Sequence, residues 1–378
     1  MGVGNYTKAT LLALTRADPE LKIRVMAEIL EEKEEYVENK VTVSRVWKRG
    51  NPLSLITLFS QVLKDSTKVI LMPFEMFMFG SFLSLLVALP MFFILKIRGK
   101  RIVLILHQVL EDDVSAFETS KAKAFLIQKI LRKPFYLYLQ LIATRVIVFE
   151  DEFKERLGGS GKVMVIPHAV MSEHIIDQNQ AKEKLGLEKD KKYVLFFGYL
   201  SPYKGVDRLL IAWEDIPEVK LILGGGGNPN HKHIKLYQDY LNRVLELARA
   251  KNVITTGFIP QDMMPYYFCA ADLVVLPLVV FMSSSGPLSH AFSYGDGVLL
   301  SNALRGYFNS SDMKNALDES NISIDEICFD VDKPLRSKIL WAMHNLDKLK
   351  AFSVRMRERR NWDKLSNSYL KVIKELDQ

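Results

Sequence analysis

The sequence predicts an α/β protein of two domains, each built on a parallel sheet, and three observations lead to that prediction. At 378 residues the chain is long enough for two domains of ordinary size. Its composition, 48% hydrophobic and 25% charged residues, is typical of a globular protein rather than a disordered one. Short apolar segments alternate with helical patterns almost throughout, which favours strands joined by crossover helices.

The first half of the chain follows this alternation from a helix to a last short strand. After residue 170 the sequence turns polar, which indicates a linker and a first helix of the next domain. In order, the expected elements are a helix after GVGNYT, strand LKIRVMAEI, strand KVILMP, a long apolar helix, strand RIVLILH, a helical stretch over residues 120–141, strand RVIVFE, helix DEFKERL and strand KVMVIPH.

The second half repeats the rhythm, and its loops after the strands should carry the chemistry, because ligands bind at the carboxyl ends of parallel strands. A final helix is expected from about Pro334, with an interruption near residues 360–362. The preceding elements are strand YVLFFGYL, a helix from Val206, strand VKLILGGGG, a helix over 234–249, strand VITTGFI, a helix over 262–270, strand DLVVLPL, a helix after SSSG and strand GVLLSN.

Residues 76–95 contain no charge and have about the length that crosses a bilayer core. Gly80, Pro90 and the strand just before them favour instead a buried or half-buried helix that also touches a membrane. A helix simply buried between the sheet and its neighbours is the competing interpretation. The cations that follow suit an anionic lipid surface; they are Lys96, Arg98, Lys100 and Arg101.

The net charge of +7 is compatible with an anionic ligand, an acidic membrane surface or nucleic acid. The densest basic cluster, residues 355–360, is interpreted as a solvated helix face, and no RNA-type aromatic signature accompanies it, so we expect no nucleic-acid partner. Two cysteines give neither a disulfide framework nor a metal-spaced cluster, and the N-terminus has no signal-peptide pattern. These features predict a cytoplasmic protein.

Two loops of the second half have the chemistry of an anion site. Lys204 follows strand YVLFFG and its turn residue Gly198, at the entrance to the next helix, where an ammonium and a helix N-terminus attract phosphate together. A surface lysine in a turn is the alternative. In SSSGPLSH, the N-cap would be Ser284 or Ser285, with Gly286 allowing close approach and Pro287 near the first helical position. The alternative there is a capped structural helix with a core histidine, His290.

The sequence resembles the group 1 family of nucleotide-sugar glycosyltransferases, which are retaining enzymes of the GT-B fold. The resemblance covers nearly the whole chain and rests on the ordered set of motifs. These are MPFEMFMFG, VLILHQVLEDD, VMVIPHAV, FFGYLSPYKGVDRLL, LILGGGG, VITTGFIPQDMMPYYFCAADLVVLPL, SSSGPLSHAFSYGDGVLLSN and the closing NWDKLSNSYLKVIKEL.

The resemblance implies roles for the donor side. Lys204 matches the lysine that binds the donor diphosphate, while Tyr199 stands where an arginine is often found. The backbone of Ile259 would face the base. Met282 and His290 occupy the positions of two acids that usually hold the donor sugar and the ribose, so the site does not specify the sugar by charge. Free amides at Ser284, Ser285 and Gly286, with Pro287, would take the phosphates.

On the first-domain side the resemblance implies that His107, at a strand end, orients the reacting sugar or acceptor. Glu75 is a weaker acceptor-side candidate, with an exposed carboxylate as the alternative. Gly2 and Gly4 would correspond to a glycine loop. The central strand that normally precedes this loop is expected to be missing, either because the sequence starts too late or because the sheet forms without it. His168 in IPHAV is interpreted as structural, at the hinge between the domains.

The predicted domains are residues 1–168, residues 169–358 and a helix over 359–378 that packs back on the first domain. No metal or cofactor is expected, because in this fold lysine and helix dipoles stabilise the leaving diphosphate; Asp330 and Asp332 are expected to cap a helix. The function predicted is retaining transfer of a sugar, expected to be a hexose, from a nucleotide-diphosphate sugar to a hydroxyl acceptor, with a lipid-linked acceptor and a growing glycan both open. A non-catalytic nucleotide-sugar-binding partner protein is the alternative function.

Overall fold

The computed structural model describes residues 3–75, 78–110, 132–171, 173–231, 233–282 and 285–377. These residues form two compact units. The first contains the chain up to Val109, the stretch that ends at Pro167, and residues 362–378, and the second contains residues 168–361. The chain returns to the first unit at Trp362. The closing helix predicted from the sequence begins at residue 359.

The described strands of the first unit form two sheets. Strand β3 lies between β1, which is parallel to it, and β2, which is antiparallel. The second sheet is wholly parallel, in the order β4-β5-β6-β7. The strands are β1 (Ile23–Glu28), β2 (Glu35–Glu38), β3 (Val41–Trp47), β4 (Val69–Phe74), β5 (Arg101–Leu106), β6 (Arg145–Val148) and β7 (Val163–Val165).

The helices of the first unit follow the strands, as the alternating pattern predicts. They are α1 (Val3–Ala17), α2 (Pro52–Lys64), α3 (Phe82–Ile97), α4 (Arg132–Ile142), α5 (Asp151–Arg156) and the closing α15 (Trp362–Asp377). Helix α15 packs on α1, where the hydroxyls of Tyr6 and Tyr369 lie 3.1 Å apart. The sequence analysis missed β2, β3 and α2, and the expected helical stretch over 120–141 is described only from Arg132.

The second unit has one six-stranded parallel sheet with the order β10-β9-β8-β11-β12-β13. From β8 the chain winds to one side through β9 and β10, and from β11 it winds to the other through β12 and β13. The strands are β8 (Lys192–Phe197), β9 (Val219–Gly224), β10 (Ile254–Gly257), β11 (Leu273–Leu276), β12 (Gly297–Ser301) and β13 (Cys328–Phe329). The winding therefore reverses between β8 and β11.

Apolar segments of the two central strands explain the core of this unit, because residues 194–196 and 273–276 are buried on both faces of the sheet. The α-helices around it are α6 (Gln178–Lys184), α7 (Val206–Ala212), α8 (Lys235–Ala250), α9 (Met264–Ala270), α10 (Gly286–Tyr294), α11 (Ser311–Ser320), α12 (Ile324–Ile327), α13 (Arg336–His344) and α14 (Leu346–Arg359). The described residues of this unit also form three 3₁₀ helices: Pro202–Lys204, Pro229–His231 and Asn302–Asn309.

Two expectations for the C-terminal region need correction. Asp330 and Asp332 do not cap a helix: Asp330 accepts a hydrogen bond from the backbone N–H of Asp332, Asp332 pairs with Arg208, and α13 is capped at Leu335. The basic cluster is not a solvated face either, because three of its arginines pair with acids of α11 and Arg357 donates to the carbonyl oxygen of Ser293. Those ion pairs are Arg355 and Arg359 with Glu319, and Arg360 with Asp312.

In the described parts of the chain no helix combines the length and the apolar character needed to span a bilayer. Helix α3, which contains most of the uncharged segment, has 16 residues and is therefore about 24 Å long.

Candidate donor site in the second unit

The loops after β8 and β11 meet at the carboxyl edge of the second sheet. Open parallel sheets bind ligands where the winding reverses, and here that point lies between these two strands. The contact is direct, since the backbone N–H of Val279 donates to the carbonyl oxygen of Tyr203 at 3.1 Å. Topology alone therefore brings the loop of Lys204 to the loop that precedes α10.

Glycines allow this close packing of backbone. At Gly205, where φ is +67°, an added Cβ would lie 2.0 Å from the carbonyl oxygen of Pro277. At Gly225, where φ is +151°, it would lie 2.0 Å from the carbonyl oxygen of Gly198. A side chain at either position would push the loops apart, so both glycines are needed for the shape of this edge.

Lys204 ends the 3₁₀ turn after β8 and is placed close to the start of α10. A Cβ built on Gly198 would lie 3.7 Å from Lys204 Nζ and 3.8 Å from Pro287 Cγ, so the ammonium and the first turn of α10 flank the same glycine. Burial lowers the pKa of Lys204 to about 8. Within the described residues no carboxylate forms a salt bridge with it, which leaves its charge for an anion.

The start of α10 has the cap that the sequence predicts. Ser285 is the N-cap residue, its side chain accepts a hydrogen bond from the Leu288 N–H, and Pro287 lies in the first turn. Ser284, the other candidate cap, lies outside the described residues. Pro287 has no N–H and the Leu288 N–H is bonded to the cap, so the first turn offers the Gly286 N–H and the helix dipole to an anion.

His290 lies one turn further along α10 and is buried. Its ring is 6.2 Å from Phe197 and 5.5 Å from Phe268, measured between ring centroids. Burial lowers the pKa of His290 to about 3, so the imidazole is neutral at physiological pH. A neutral imidazole can donate one hydrogen bond and accept another, which suits a hydroxyl better than a phosphate.

The remaining donor-side candidates lie around the same edge. Tyr199 is exposed directly after Gly198, and Ile259 is buried two residues after β10, with its side chain against Gly224. The carbonyl oxygen of Met282 accepts a hydrogen bond from the hydroxyl of Tyr307. The tyrosine cannot supply the charge of the arginine that the resemblance implies at this position, so Lys204 carries the basic function of this loop.

Sequence reasoning did not single out Ser201, which lies between Gly198 and Lys204. Its side chain is buried, and its Oγ has no hydrogen-bond partner among the described residues. A second missed contact joins Ser289 Oγ to His168 Nδ1 at 2.9 Å, which fixes the histidine to α10. His168 and Ser289 are 121 positions apart, so no local pattern in the sequence indicates this pair.

In the first unit His107 follows β5 and lies in an aromatic cluster. Its ring centroid is 5.2 Å from that of Tyr6 and 5.0 Å from that of Phe149, both in edge-on geometry. Burial lowers the pKa of His107 to about 4. The histidine is therefore neutral at pH 7 and can orient a hydroxyl, but it does not carry a proton for general acid catalysis.

The other acceptor-side candidates have simpler surroundings. Glu75 is exposed at the end of β4. Desolvation raises the pKa of its carboxyl group, and the charge of Arg49 offsets part of this shift. Gly4 lies in the first turn of α1, exposed, rather than in a loop, and Gly2 lies outside the described residues. Within the described residues no group of three or more His, Cys, Asp or Glu side chains is arranged to hold a metal ion.

Comparison with known proteins identifies a family that this part of the chain matches. Residues 177–290 match the family described as "Glycosyl transferases group 1". YtcC of Bacillus subtilis, whose name assigns it provisionally to the glycosyltransferases, is 38% identical over 98 residues, which is 25% of this chain and 24% of that protein. The lipopolysaccharide 1,2-N-acetylglucosaminetransferase of Salmonella typhimurium is 27% identical over 157 residues, 39% of this chain and 40% of that enzyme. The chain thus spans less than half the length of these relatives.

Solved structures share the fold over almost the whole chain. Sucrose-phosphate synthase from Thermosynechococcus elongatus has a TM-score of 0.73 at 16% identity and covers 100% of this chain and 94% of its own. HepE from Anabaena, in complex with UDP and glucose, has a TM-score of 0.63 at 15% identity and covers 97% and 95%. The resemblance to group 1 nucleotide-sugar glycosyltransferases and the predicted fold class are confirmed. Residues 177–290 therefore match the group 1 glycosyltransferase family, in a chain that has the α/β GT-B fold.

Proposed function

We propose that the protein transfers a sugar from a nucleotide-diphosphate sugar to a hydroxyl acceptor, with retention of anomeric configuration and without a metal ion. The single observation that carries the proposal is the placement of Lys204 Nζ and the first turn of α10 around Gly198. An ammonium and the N-terminus of a helix at one point suit a diphosphate, whose charge grows as the sugar leaves. The named relatives and the UDP complex of HepE support the same class of donor.

In the proposed reaction the bond between the anomeric carbon and the diphosphate oxygen breaks, and its electron pair leaves with the diphosphate. Lys204 and the N-terminus of α10 stabilise this charge. The acceptor oxygen bonds to the anomeric carbon on the face that the diphosphate leaves, and its proton passes to the departing phosphate oxygen. Positions 282 and 290 carry methionine and histidine, so this proposal involves no carboxylate nucleophile there.

The remaining residues are assigned to recognition. Neutral His290 would hydrogen-bond a ribose hydroxyl, and the backbone of Ile259 would face the base. On the acceptor side His107 would orient the sugar or the acceptor, with Glu75 after β4, the strand that pairs with β5. UDP is the proposed nucleotide, because HepE binds it. A hexose is the proposed sugar, and a lipid-linked saccharide or a growing glycan is the proposed acceptor, which places the protein in glycan biosynthesis at the cytoplasmic side of a membrane.

Lys204→Ala tests this proposal in two assays. The first measures binding of UDP, GDP, ADP and their sugars by thermal shift, since a specific ligand raises the melting temperature. The second measures donor hydrolysis and transfer. We expect transfer to fall by about a hundredfold or more, as for the loss of one preorganised donor. Lys235→Ala, an exposed lysine of the same unit, is the matched control and should change neither assay.

Two results would argue against the proposal. Unchanged turnover in a folded Lys204→Ala variant would remove this lysine from the site. Specific binding of nucleotide sugars by the wild-type protein, without hydrolysis or transfer for any donor, would favour the non-catalytic binding protein instead.

A further inference from the structure

Helix α3 of the first unit has an apolar face that the described protein does not cover. Its large exposed side chains, here called the apolar patch, are Phe82, Leu83, Leu86, Phe93 and Ile97, each between 44% and 64% exposed. Single exposed apolar residues are common on protein surfaces, but a continuous group on one helix marks an interaction site. The patch therefore needs an explanation beyond the fold.

The spacing on α3 separates two apolar faces. Leu85, Phe92 and Leu95 are buried and pack toward the core. Phe82, Leu86, Phe93 and Ile97 are four, seven and four positions apart, so they lie along the opposite side of the helix. A soluble surface helix carries polar residues on that side. Burial in the first unit thus accounts for only one face of α3.

The neighbouring helices extend the patch. Helix α4 is joined to α3 by two hydrogen bonds, from Lys96 Nζ to the carbonyl oxygen of Leu141 and from the Tyr138 hydroxyl to the carbonyl oxygen of Leu89. It exposes Leu137 and Leu141 by 66% and 54%. The exposed apolar surface is consequently wider than one helix, which suits a flat partner better than a single bound segment.

Helix α2 packs on α3 and β3. It is also linked to the start of α3 by a hydrogen bond. The backbone N–H of Gly50, just before α2, donates to the carbonyl oxygen of Phe79, just before α3, at 2.8 Å. Helix α2 exposes Leu53 and Ile56 by 74% and 51%. Both side chains lie in its first two turns, close in sequence to this link.

The stretch of chain that carries most of this surface is rich in positive charge. Residues 48–101, which contain α2, α3 and their connections, carry eight basic and only two acidic side chains. Arg98 at the end of α3 and Lys133 in the first turn of α4 are exposed. Of the two acids, Asp65 is already within 3.6 Å of Arg24. A second copy of the chain would bring the same positive charge to the contact, whereas an anionic lipid surface would neutralise it.

We propose that the apolar patch docks the protein on an anionic lipid bilayer, with α3 lying in the membrane interface and the surrounding cations at the headgroups. A helix with apolar side chains on one face and cations at its end binds a membrane surface in this way, without spanning it. The proposal goes beyond the sugar transfer proposed above and does not depend on it. Measurements of lipid binding alone decide whether the docking proposal is correct.

Co-sedimentation of the full chain with vesicles tests the docking. The vesicles contain phosphatidylcholine with or without phosphatidylglycerol, at low and high salt. We expect binding only to the anionic vesicles, weakened by salt because the attraction is screened. The double variant Phe93→Glu and Ile97→Glu should bind at least about tenfold more weakly, because two apolar side chains become anions at the interface.

The matched control is the double variant Ile211→Glu and Leu236→Glu in the second unit, where the side chains are 56% and 58% exposed. It should bind vesicles like the wild-type protein, to within about twofold, since it adds the same charge outside the patch. Circular dichroism melting of both variants distinguishes lost docking from lost folding. If the Phe93 variant does not fold, Arg98→Gln with Lys133→Gln replaces it, and should reduce binding at low salt only.

Three outcomes would overturn the proposal. The wild-type protein could fail to bind anionic vesicles at low salt, or the patch and control variants could lose binding equally. In the third outcome the protein dimerises in sedimentation equilibrium, the patch variant is monomeric, and neither binds vesicles, which would assign the surface to a second copy.

Discussion

Lys204 is a cation in a half-buried site where, among the described residues, no carboxylate balances it. Its lowered pKa of about 8 means that the free protein loses this charge within an accessible pH range. A bound diphosphate favours the charged form and raises the pKa again, so binding above pH 8 must take up a proton. We therefore expect the affinity for UDP to fall as the pH rises through about 8, and calorimetry in buffers of different ionisation enthalpy to detect proton uptake there.

Lys204→Arg serves as the control for this pH dependence, because a guanidinium stays charged throughout the range. Its affinity for UDP should be nearly flat between pH 7 and pH 9 once the titration of the nucleotide itself is subtracted. An equal decline in both proteins would assign the pH dependence to another group.

Gly225 is the second residue from which a sharp prediction follows. An alanine there would place a Cβ 2.0 Å from the carbonyl oxygen of Gly198 at a φ of +151°, so backbone must move. We expect Gly225→Ala to lower the free energy of unfolding by about 2 kcal/mol or more and to weaken nucleotide binding. Gly257→Ala is the control: φ is +67° but nothing lies within 4 Å, so its cost should be about 1 kcal/mol. Chemical denaturation measures the free energy of unfolding of both variants. Equal losses would show that the close approach of residue 225 to the carbonyl oxygen of Gly198 is unimportant.

At the scale of elements, the ion pair between α11 and Arg360, the residue after α14, has the strongest consequence for stability. Arg360 is 3% exposed, and its guanidinium lies 2.6 Å from an oxygen of Asp312. Burial raises the pKa of Asp312, but the charge of Arg360 together with hydrogen bonds from Arg360, Ser310 and the Met313 N–H outweighs this and holds the pKa below its usual value. The stabilisation is therefore present above the carboxyl's unfolded pKa of about 3.9, and is lost as the pH falls through the lower folded value.

We expect Arg360→Met to lower the free energy of unfolding by about 3 kcal/mol near neutral pH, because the carboxylate of Asp312 loses its partner. Adding Asp312→Leu should recover part of this loss, since no charge is then left buried. Urea denaturation of the two variants at pH 7 decides. A double variant that is no more stable than the single one would contradict the ion-pair explanation.

The elements also show which parts of the structure local patterns can predict. Strands such as β5 and β12 are runs of apolar residues that are buried on both faces, and the cap at Ser285 follows from a serine before glycine and proline; all three were predicted. Strand β2 was missed because its four residues begin and end with glutamate and expose Glu35 and Val37, so it lacks the apolar and polar alternation of a strand.

Contacts between distant residues could not be predicted at all. The arginines after position 354 look like a solvated face in the sequence, yet the acids that pair with them lie on α11, 40 positions away for Arg359 and 48 for Arg360. Similarly, the topological reversal between β8 and β11 depends on strand order, which no local periodicity contains. The loop of Lys204 and the cap at Ser285 were predicted from local chemistry, whereas the roles of Tyr199, Ile259 and Met282 came only from the resemblance to a family.

At the scale of the whole molecule, the two units offer separate tests of stability and binding. Tyr369 is fully buried in the first unit, whereas Lys204 and α10 belong to the second. We expect Tyr369→Ala to lower the free energy of unfolding of the first unit by about 3–5 kcal/mol, through the cavity it leaves. Tyr369→Phe removes only the hydroxyl bond to Tyr6 and should cost about 1 kcal/mol. Scanning calorimetry measures the stability of both variants, and UDP titration measures their affinity for UDP.

The binding assay separates the two units. Below the melting transition, UDP affinity should be the same in the Tyr369 variants and the wild-type protein. A loss of affinity that follows the loss of stability would mean that the donor site is not confined to the second unit.

The pairing of α1 with α15 also has a consequence during synthesis on the ribosome. Tyr6 and its partner Tyr369 are 363 positions apart, so α1 waits roughly twenty to seventy seconds for its neighbour at ordinary rates of translation. Through that interval its apolar side is open to chaperones. A premature stop codon between residues 361 and 369 would release a product in which the sheet that carries Lys204 is already made, while α1 never receives its partner and becomes a substrate for proteolysis.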